Sequence, residues 1–308
     1  MPDVSIIIPC YNEEGGVEAS LADLRRVMDE TGLSYELLPV DDGSTDRTAE
    51  VLAGQPKPVK LLRNPSNLGY GASIKHGIRK ARSPIVAITD ADGTYPAEAL
   101  PDLIKAVKTE LCDMAVGART GENVSIPVIR RPAKWALRML ANYVAGFPIP
   151  DINSGLRVFR REIALRMMGV LPDGFSLTTT ITLAMLTNGY QVDYQPIDYF
   201  KRIGASKIRP IRDTANFTKL TVKMAIYFAP LKFFIPFSMG LLGLAVIWAG
   251  FSMFVLGKLA DVSTLILVVA SLQIGAIGLL AELINKRAPN VFRNEEDAEA
   301  ISPLSPES

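Results

Sequence analysis

From Val4 to about residue 200, short apolar runs alternate with stretches whose apolar residues recur at helical spacing. Val4-Ser5-Ile6-Ile7-Ile8 predicts a buried strand, and Gly16 to Glu30 an amphipathic helix. Leu37-Leu38-Pro39-Val40 predicts a second strand in spite of its proline, and Thr45 to Ala53 a second helix. Val59 to Arg63, Ala72 to Ala81 and Ile85 to Thr89 continue the strand-helix-strand order; Pro101 to Thr109 adds a helix and Met114 to Gly117 a short strand. Tyr190 to Ile197 predicts a late strand. The alternation implies an α/β fold with a Rossmann-like, mainly parallel sheet covered by helices. Ligands are then expected at the carboxyl ends of the strands.

The pattern changes after Arg130, where it turns helical and basic through Arg131, Lys134 and Arg138. Asp213 to Leu231 places Phe217, Leu220, Met224, Tyr227, Phe228 and Leu231 on one helical stripe, with Lys219 and Lys223 off it, as suits a helix lying in a membrane interface. Phe233 to Gly257 and Val262 to Ala281 carry no charge. At about 1.5 Å per residue each run can cross a hydrocarbon core of roughly 30 Å. The linker Lys258-Leu259-Ala260-Asp261 is short enough to force a hairpin.

Composition agrees: 48% of the residues are hydrophobic, high for a wholly soluble chain. Lys219, Lys223 and Lys232 precede the hairpin and Lys286, Arg287 and Arg293 follow it, against Lys258 alone in the turn. Positive-inside bias places both outer ends in the cytoplasm. Asp3 and the short run Val4 to Ile8 do not make a signal peptide. Cys10 and Cys112 lack metal-site spacing and are expected to be reduced thiols. A net charge of +1 argues against a general nucleic-acid binder. The tail from Asn294, acidic and rich in Ser and Pro, is expected to be disordered.

The chemistry centres on Thr89-Asp90-Ala91-Asp92-Gly93-Thr94-Tyr95-Pro96. A strand that ends in Asp-x-Asp projects both carboxylates from one rim of the sheet, because every second side chain realigns. Hard oxygen ligands in an incomplete set suit Mg²⁺ or Mn²⁺, with a substrate diphosphate completing the shell. Read alone, Asp-Gly is equally good turn chemistry, with Pro96 opening the next helix. Pro9 to Glu14 and Asp41 to Asp46 end two earlier strands with further polar loops. Capping explains each of these singly but not all three together. A dinucleotide-binding domain fails at the first turn, where Pro9-Cys10-Tyr11-Asn12-Glu13 offers no glycine triplet. Gly69-Tyr70-Gly71 is a weak signal, explained by close packing at a helix start. His76, the single histidine, predicts a solvated helix position.

Taken together, these segments resemble family 2 glycosyltransferases of the GT-A fold, specifically the polyprenyl-phosphate sugar synthases (dolichyl-phosphate mannose and glucose synthase-like). The resemblance rests on Val4 to Glu13, Val40 to Asp46, Asn67 to Gly71, Asp90 to Gly93, Gly117 to Arg119, Asp151 to Arg157 and Gly204 to Lys207, in order. It implies that Pro9, Tyr11, Glu13 and one or both of Asp41 and Asp42 hold the nucleoside of a nucleotide-sugar donor. It further implies that Asp90 and Asp92 bind a divalent metal on the donor diphosphate. Arg119, Arg131, Arg202 and Lys207 lie where the family gathers the acceptor phosphate, and Asp151 in a segment tied to catalysis, so Asp92, Asp151 and Arg119 are the catalytic candidates. Thr94 stands where mannose synthases often carry Gln, which leaves the third metal ligand open.

The expected organisation is a GT-A domain over 1–210, a juxtamembrane helix over 211–232, two transmembrane helices over 233–284 and a cytoplasmic tail over 285–308. The expected activity is inverting transfer of one sugar from a UDP- or GDP-sugar to undecaprenyl or dolichyl phosphate at the cytoplasmic face of the cell (inner) membrane. A phosphate acceptor, mostly dianionic at neutral pH, is already nucleophilic, so positioning by Arg and Lys replaces a strong general base. The rivals are a processive polysaccharide synthase, whose Gln-x-x-Arg-Trp segment is missing around Trp135 and Trp248, and a silent membrane scaffold. Homo-oligomerisation is left open.

Overall fold

The computed structural model describes residues 1–120, 139, 142–143, 146, 148–174, 176–200, 226–227, 229–257 and 261–287. The chain divides into two compact units, Met1–Thr218 and Lys219–Ser308.

In the first unit β1 (Val4–Cys10), α1 (Val17–Glu30), β2 (Tyr35–Asp41), α2 (Thr48–Ala53), β3 (Leu62–Arg63), α3 (Tyr70–Lys80) and β4 (Ile85–Ile88) follow the expected order. A 3₁₀ turn (Ala97–Ala99) leads into α4 (Leu100–Lys108) and β5 (Met114–Ala118). Then come β6 (Arg157–Arg160), α5 (Arg161–Arg166), α6 (Leu177–Thr187) and β7 (Val192–Pro196). The strands form one sheet in the order β3-β2-β1-β4-β6-β5-β7. All pairings are parallel except those of β6, which runs against both β4 and β5.

Central position explains the unbroken apolar run of β1. Ile6, Ile7 and Ile8 are all inaccessible because helices cover both faces. Ile6 and Ile8 join a core cluster with Leu21 and Leu24 of α1 and Leu103 and Ile104 of α4. Ile7 points the other way, onto α3, where a Cβ on Gly77 would lie 2.6 Å from its side chain. Pro39 is accommodated within β2, and α3 begins at Tyr70, two residues earlier than periodicity predicts.

The reversed strand is what the pattern reading missed. Its register pairs Arg157 with Ile88 of β4 and with Val116 of β5. The segment just before β6 therefore lies on the same rim as the segments just after β4 and β5. Arg157 itself is wholly buried and donates to the Ser154 carbonyl, to the Thr178 carbonyl at 3.0 Å and to Thr182 Oγ1 at 3.0 Å. Those bonds fasten the 151–156 segment to α6, a helix buried almost all round. Burial holds the Arg157 pKa below its ordinary value.

In the second unit α7 (Pro230–Val255) and α8 (Asp261–Arg287) pack as a hairpin, and both are long and apolar enough to cross a membrane. α7 begins ahead of the uncharged run from which it was predicted and stops just short of its end, whereas α8 extends beyond its run at both ends. Pro236 falls inside α7, a position apolar helices of this kind accommodate. Ser238, Ala245 and Ser252 recur every seven residues along α7, with Ala245 and Ser252 buried; on α8 Ser271 and Gly278 are buried at the same spacing. The Ser238 hydroxyl donates to the Ser271 carbonyl at 2.8 Å, and Ser271 Oγ returns a bond to the Ser238 carbonyl at 2.9 Å. Of the interfacial-helix stretch 211–232, only Ile226, Tyr227 and 229–232 are described; the tail beyond 287 and the basic stretch 130–138 lie outside the described residues.

Candidate active site

Seven segments meet on the carboxyl rim of the parallel strands. They follow β1, β2, β3, β4, β5 and β7, and the seventh precedes β6. The first two are stitched together. Asn12 N donates to Ser44 Oγ at 3.0 Å, Thr45 N to Asn12 Oδ1 at 2.8 Å, and Glu13 N to Thr48 Oγ1 at 2.8 Å. Asn12 takes a left-handed φ of 51°, which its short polar side chain tolerates. Pro9 lies within β1, paired with Val40, while Tyr11 and Glu13 sit half-buried on the loop.

Asp41 and Asp42 are both buried but differ in what they touch. Asp41 Oδ1 accepts from Ser44 N at 3.1 Å, and its Oδ2 lies 3.4 Å from Arg63 Nε with no hydrogen-bond partner. Asp42 accepts from Leu68 N at 3.0 Å, Gly69 N at 2.8 Å and Asn64 Nδ2 at 2.8 Å. Its carboxylate is thus occupied in holding the 64–69 loop. Gly43 is required where it stands: φ is +68°, and a Cβ would lie 2.6 Å from the Ser66 backbone. Asn64 continues inward to Ser73 Oγ at 3.0 Å and to His76 Nδ1 at 2.8 Å. His76 is therefore a half-buried member of this network rather than a solvated helix position, because α3 turns that face toward the loop.

Asp90 and Asp92 do not sit on a strand. β4 ends at Ile88, and Asp90-Ala91-Asp92 bends beyond it, so strand alternation is not what orients the two side chains. Asp92 is buried and accepts at Oδ1 from Thr94 N at 3.2 Å and Thr94 Oγ1 at 2.6 Å. The turn geometry and the carboxylate pair thus coexist. Asp90 Oδ1 accepts from the Tyr70 hydroxyl at 3.1 Å. Burial and the adjacent Asp90 raise the Tyr70 pKa well above its ordinary value, keeping the phenol a proton donor. No cluster of three or more His, Cys, Asp or Glu suited to a metal exists among the described residues. The hard-oxygen pair Asp90/Asp92 fits a divalent cation that takes its remaining ligands from a substrate or water.

On the far side Arg119 and Asp151 form a paired fork. Asp151 Oδ2 accepts from Arg119 Nε at 2.7 Å and Arg119 N at 3.1 Å; Oδ1 accepts from Arg119 Nη2 at 2.9 Å and Asn153 N at 3.1 Å. Burial pushes the Asp151 pKa up, but these bonds outweigh it and hold the carboxyl below its ordinary value. Arg119 is raised in turn, the Asp151 bonds overcoming its own desolvation. The guanidinium lies 5.2 Å from the centre of the Tyr199 ring, which meets Tyr95 edge-on at 5.3 Å. Tyr95 accepts from Gly155 N at 2.6 Å, tying the Asp92 loop to the segment before β6.

The rim therefore collects Tyr11, Glu13, Asp41, Asp42, Asp90, Asp92, Arg119 and Asp151. Arg131, Arg202 and Lys207 lie outside the described residues. Sequence reasoning missed Tyr70, Tyr95, Tyr199 and Gly155 as contributors. Tyr70, flanked by two glycines, Tyr95 and Gly155 lay within the segments singled out in the sequence but were given no role there, and Tyr199 carried no signal.

Residues 5–167 match the protein family described as Glycosyl transferase family 2, and residues 229–286 the family described as GtrB C-terminal hairpin. A dolichyl-phosphate hexose transferase of Haloferax volcanii is 30% identical over 225 residues, which cover 73% of this chain and 94% of that one. An undecaprenyl-phosphate mannosyltransferase of Micrococcus luteus is 29% identical over 218 residues, 67% of this chain and 87% of that one. Among solved structures, glucosyl-3-phosphoglycerate synthase of Mycobacterium tuberculosis, crystallised with Mn²⁺, UDP and phosphoglyceric acid, superposes with a TM-score of 0.57 at 19% identity. That match covers 73% of this chain and 78% of that one and supports a common GT-A fold.

Proposed function

The chain belongs to glycosyl transferase family 2 and ends in a GtrB-type hairpin, and from that premise we propose that it moves a single sugar from a nucleotide-sugar to a polyprenyl phosphate at the cytoplasmic face of a membrane. The observation that carries this reading is a rim with an acidic pair, Asp90/Asp92, on one side and a half-buried cationic fork, Arg119 held by Asp151, on the other. A diphosphate-bearing donor suits the first, and a phosphate acceptor the second. The relatives' names point to lipid phosphates as acceptors, and the apolar hairpin matches such a substrate.

Pro9, Tyr11, Glu13 and Asp41 are assigned to the nucleoside; Asp41 keeps a carboxylate oxygen without a hydrogen bond, whereas Asp42 is committed to the 64–69 loop. Asp90 and Asp92 are assigned to Mg²⁺ or Mn²⁺, which supplies Lewis-acid charge to the departing nucleoside diphosphate. Thr94 is assigned to bracing Asp92, which leaves the third ligand position to substrate or water. Arg119 orients the acceptor phosphate, with Arg131, Arg202 and Lys207 assigned to the same anion. Asp151 fixes the fork rather than removing a proton, since both of its oxygens are engaged with N–H donors. The attacking phosphate oxygen needs no strong base, and inversion at the anomeric carbon follows from direct displacement.

The test is a screen of radiolabelled UDP- and GDP-sugars against membranes containing the full chain and polyprenyl phosphate, with organic extraction of the product. One sugar per lipid is expected, with transfer reduced about 10²–10³-fold in Asp92→Asn. A polymeric product, or full transfer by Asp92→Asn, would overturn the reading.

A further inference from the structure

Gly69-Tyr70-Gly71 has no part in the donor, metal or acceptor assignments, yet the fold invests heavily in fixing its position. From one side, Asp42 accepts hydrogen bonds from the backbone N–H groups of Leu68 and Gly69. From the other, the Pro172–Gly174 backbone closes on both glycines. A Cβ on Gly69, whose φ is +104°, would lie 2.6 Å from the Asp173 carbonyl oxygen, and one on Gly71 would collide with the Pro172 and Asp173 backbone. Ala72 N donates to that Asp173 carbonyl at 3.0 Å, and Lys75 Nζ reaches Leu171 O at 3.0 Å and the Asp173 carboxylate at 2.5 Å. The residue held between the two glycines carries a phenol hydroxyl, which donates to Asp90 Oδ1 at 3.1 Å. Opposite it, a Cβ on Gly155 would come within 3.0 Å of Asp90 Oδ2 and 3.1 Å of Tyr95.

We propose that Tyr70 is a positioning residue for the metal-binding carboxylate: its hydroxyl fixes the rotation of Asp90, while the bare Gly155 backbone leaves that carboxylate the room to hold it. The assignment rests on the reading of Asp90 as a metal ligand. Outer-sphere hydrogen bonds of this kind set ligand orientation, and their loss costs metal affinity on the order of 10–100-fold. Thr94 serves Asp92 in the same way from within its own turn, so the two carboxylates are braced by independent parts of the chain, one local and one separated by a whole β-α unit.

The experiment is a Mn²⁺ titration of the full chain in detergent with UDP present, reading free Mn²⁺ by electron paramagnetic resonance. The variants are Tyr70→Phe, Gly155→Ala and Asp90→Asn, with thermal unfolding measured alongside. Tyr70→Phe keeps the ring and removes only the hydroxyl; it is expected to weaken Mn²⁺ about tenfold with the unfolding midpoint retained. Transfer assays should show that loss partly restored at saturating Mn²⁺, a rescue that a general loosening of the fold would not give. Gly155→Ala, which presses on the same carboxylate without touching the hydroxyl, is expected to weaken Mn²⁺ as well. Wild-type Mn²⁺ affinity in Tyr70→Phe, with binding lost in Asp90→Asn, overturns the role of Tyr70 and leaves the metal site standing. Equal Mn²⁺ binding by wild type and Asp90→Asn overturns the metal site, and the role of Tyr70 with it.

Discussion

In the catalytic unit Ile6, Ile7 and Ile8 are inaccessible, and charged groups that go inside, such as Glu36 and Arg157, do so with their hydrogen bonds made. In the hairpin Phe237, Val246, Ile247 and Phe254 face outward, at 58%, 67%, 70% and 87% exposure, while Ser252 and Ser271 are buried. One unit is built for water outside, the other for hydrocarbon. In water, hiding apolar area is the driving force, at roughly 25 cal/mol per Å². In lipid that force is absent, so two helices adhere through close backbone approach and a few polar bonds. The Ser238–Ser271 clasp and Gly278, where a Cβ would lie 2.6 Å from Phe234 Cβ, are those devices.

Truncation after Leu231 tests the contrast most severely. All of the protein is expected to move from the membrane pellet to the supernatant on sedimentation, and a fully membrane-bound remainder would show that the hairpin is not the sole anchor. Next in size is Arg119→Ala. It removes two of the donors that hold the half-buried Asp151 carboxylate and should cost about 1–3 kcal/mol of stability by chemical denaturation, as well as transfer; Arg119→Ala that unfolds like wild type would contradict the fork.

A smaller effect concerns acid. The folded Asp151 pKa lies below the ordinary value of 3.8, so its ionised form stabilises the fold above that value. The contribution is lost as pH falls through the folded pKa, while Arg119 stays protonated throughout. Asp151→Asn should therefore lose less stability than wild type between neutral pH and the acid limb below about pH 4. Smallest is Ser271→Ala in the hairpin, expected to cost about 0.6 kcal/mol in a detergent unfolding assay. A loss of several kcal/mol there would mean the clasp, rather than close packing, holds the two helices.

Much of this contrast is visible along the chain. Uncharged runs longer than a bilayer's thickness need no tertiary context to be read, and neither does the alternation that gives β1 to β5. What escaped was β6. Arg157-Val158-Phe159-Arg160 is a short segment with a charge at each end, and its first arginine looks like surface until α6 carbonyls and a threonine hydroxyl are seen around it. The Asp90/Asp92 pair was legible as a carboxylate pair but not in its geometry, since turns are shaped by partners such as Thr94 and Tyr70 rather than by a repeating pattern. His76 was misread for the same reason: helical spacing says which residues share a face, not what the face meets.

The sequence by itself determined the α/β order, the acidic loops, the apolar hairpin and the family, because each is written in local periodicity or in contiguous motifs. Tertiary structure alone decided which loops share a rim, that Asp42 braces a loop while Asp41 faces Arg63, and that Tyr70 reaches Asp90. Those facts depend on one strand running backwards and on contacts between residues tens of positions apart, and no local pattern carries the direction of a strand.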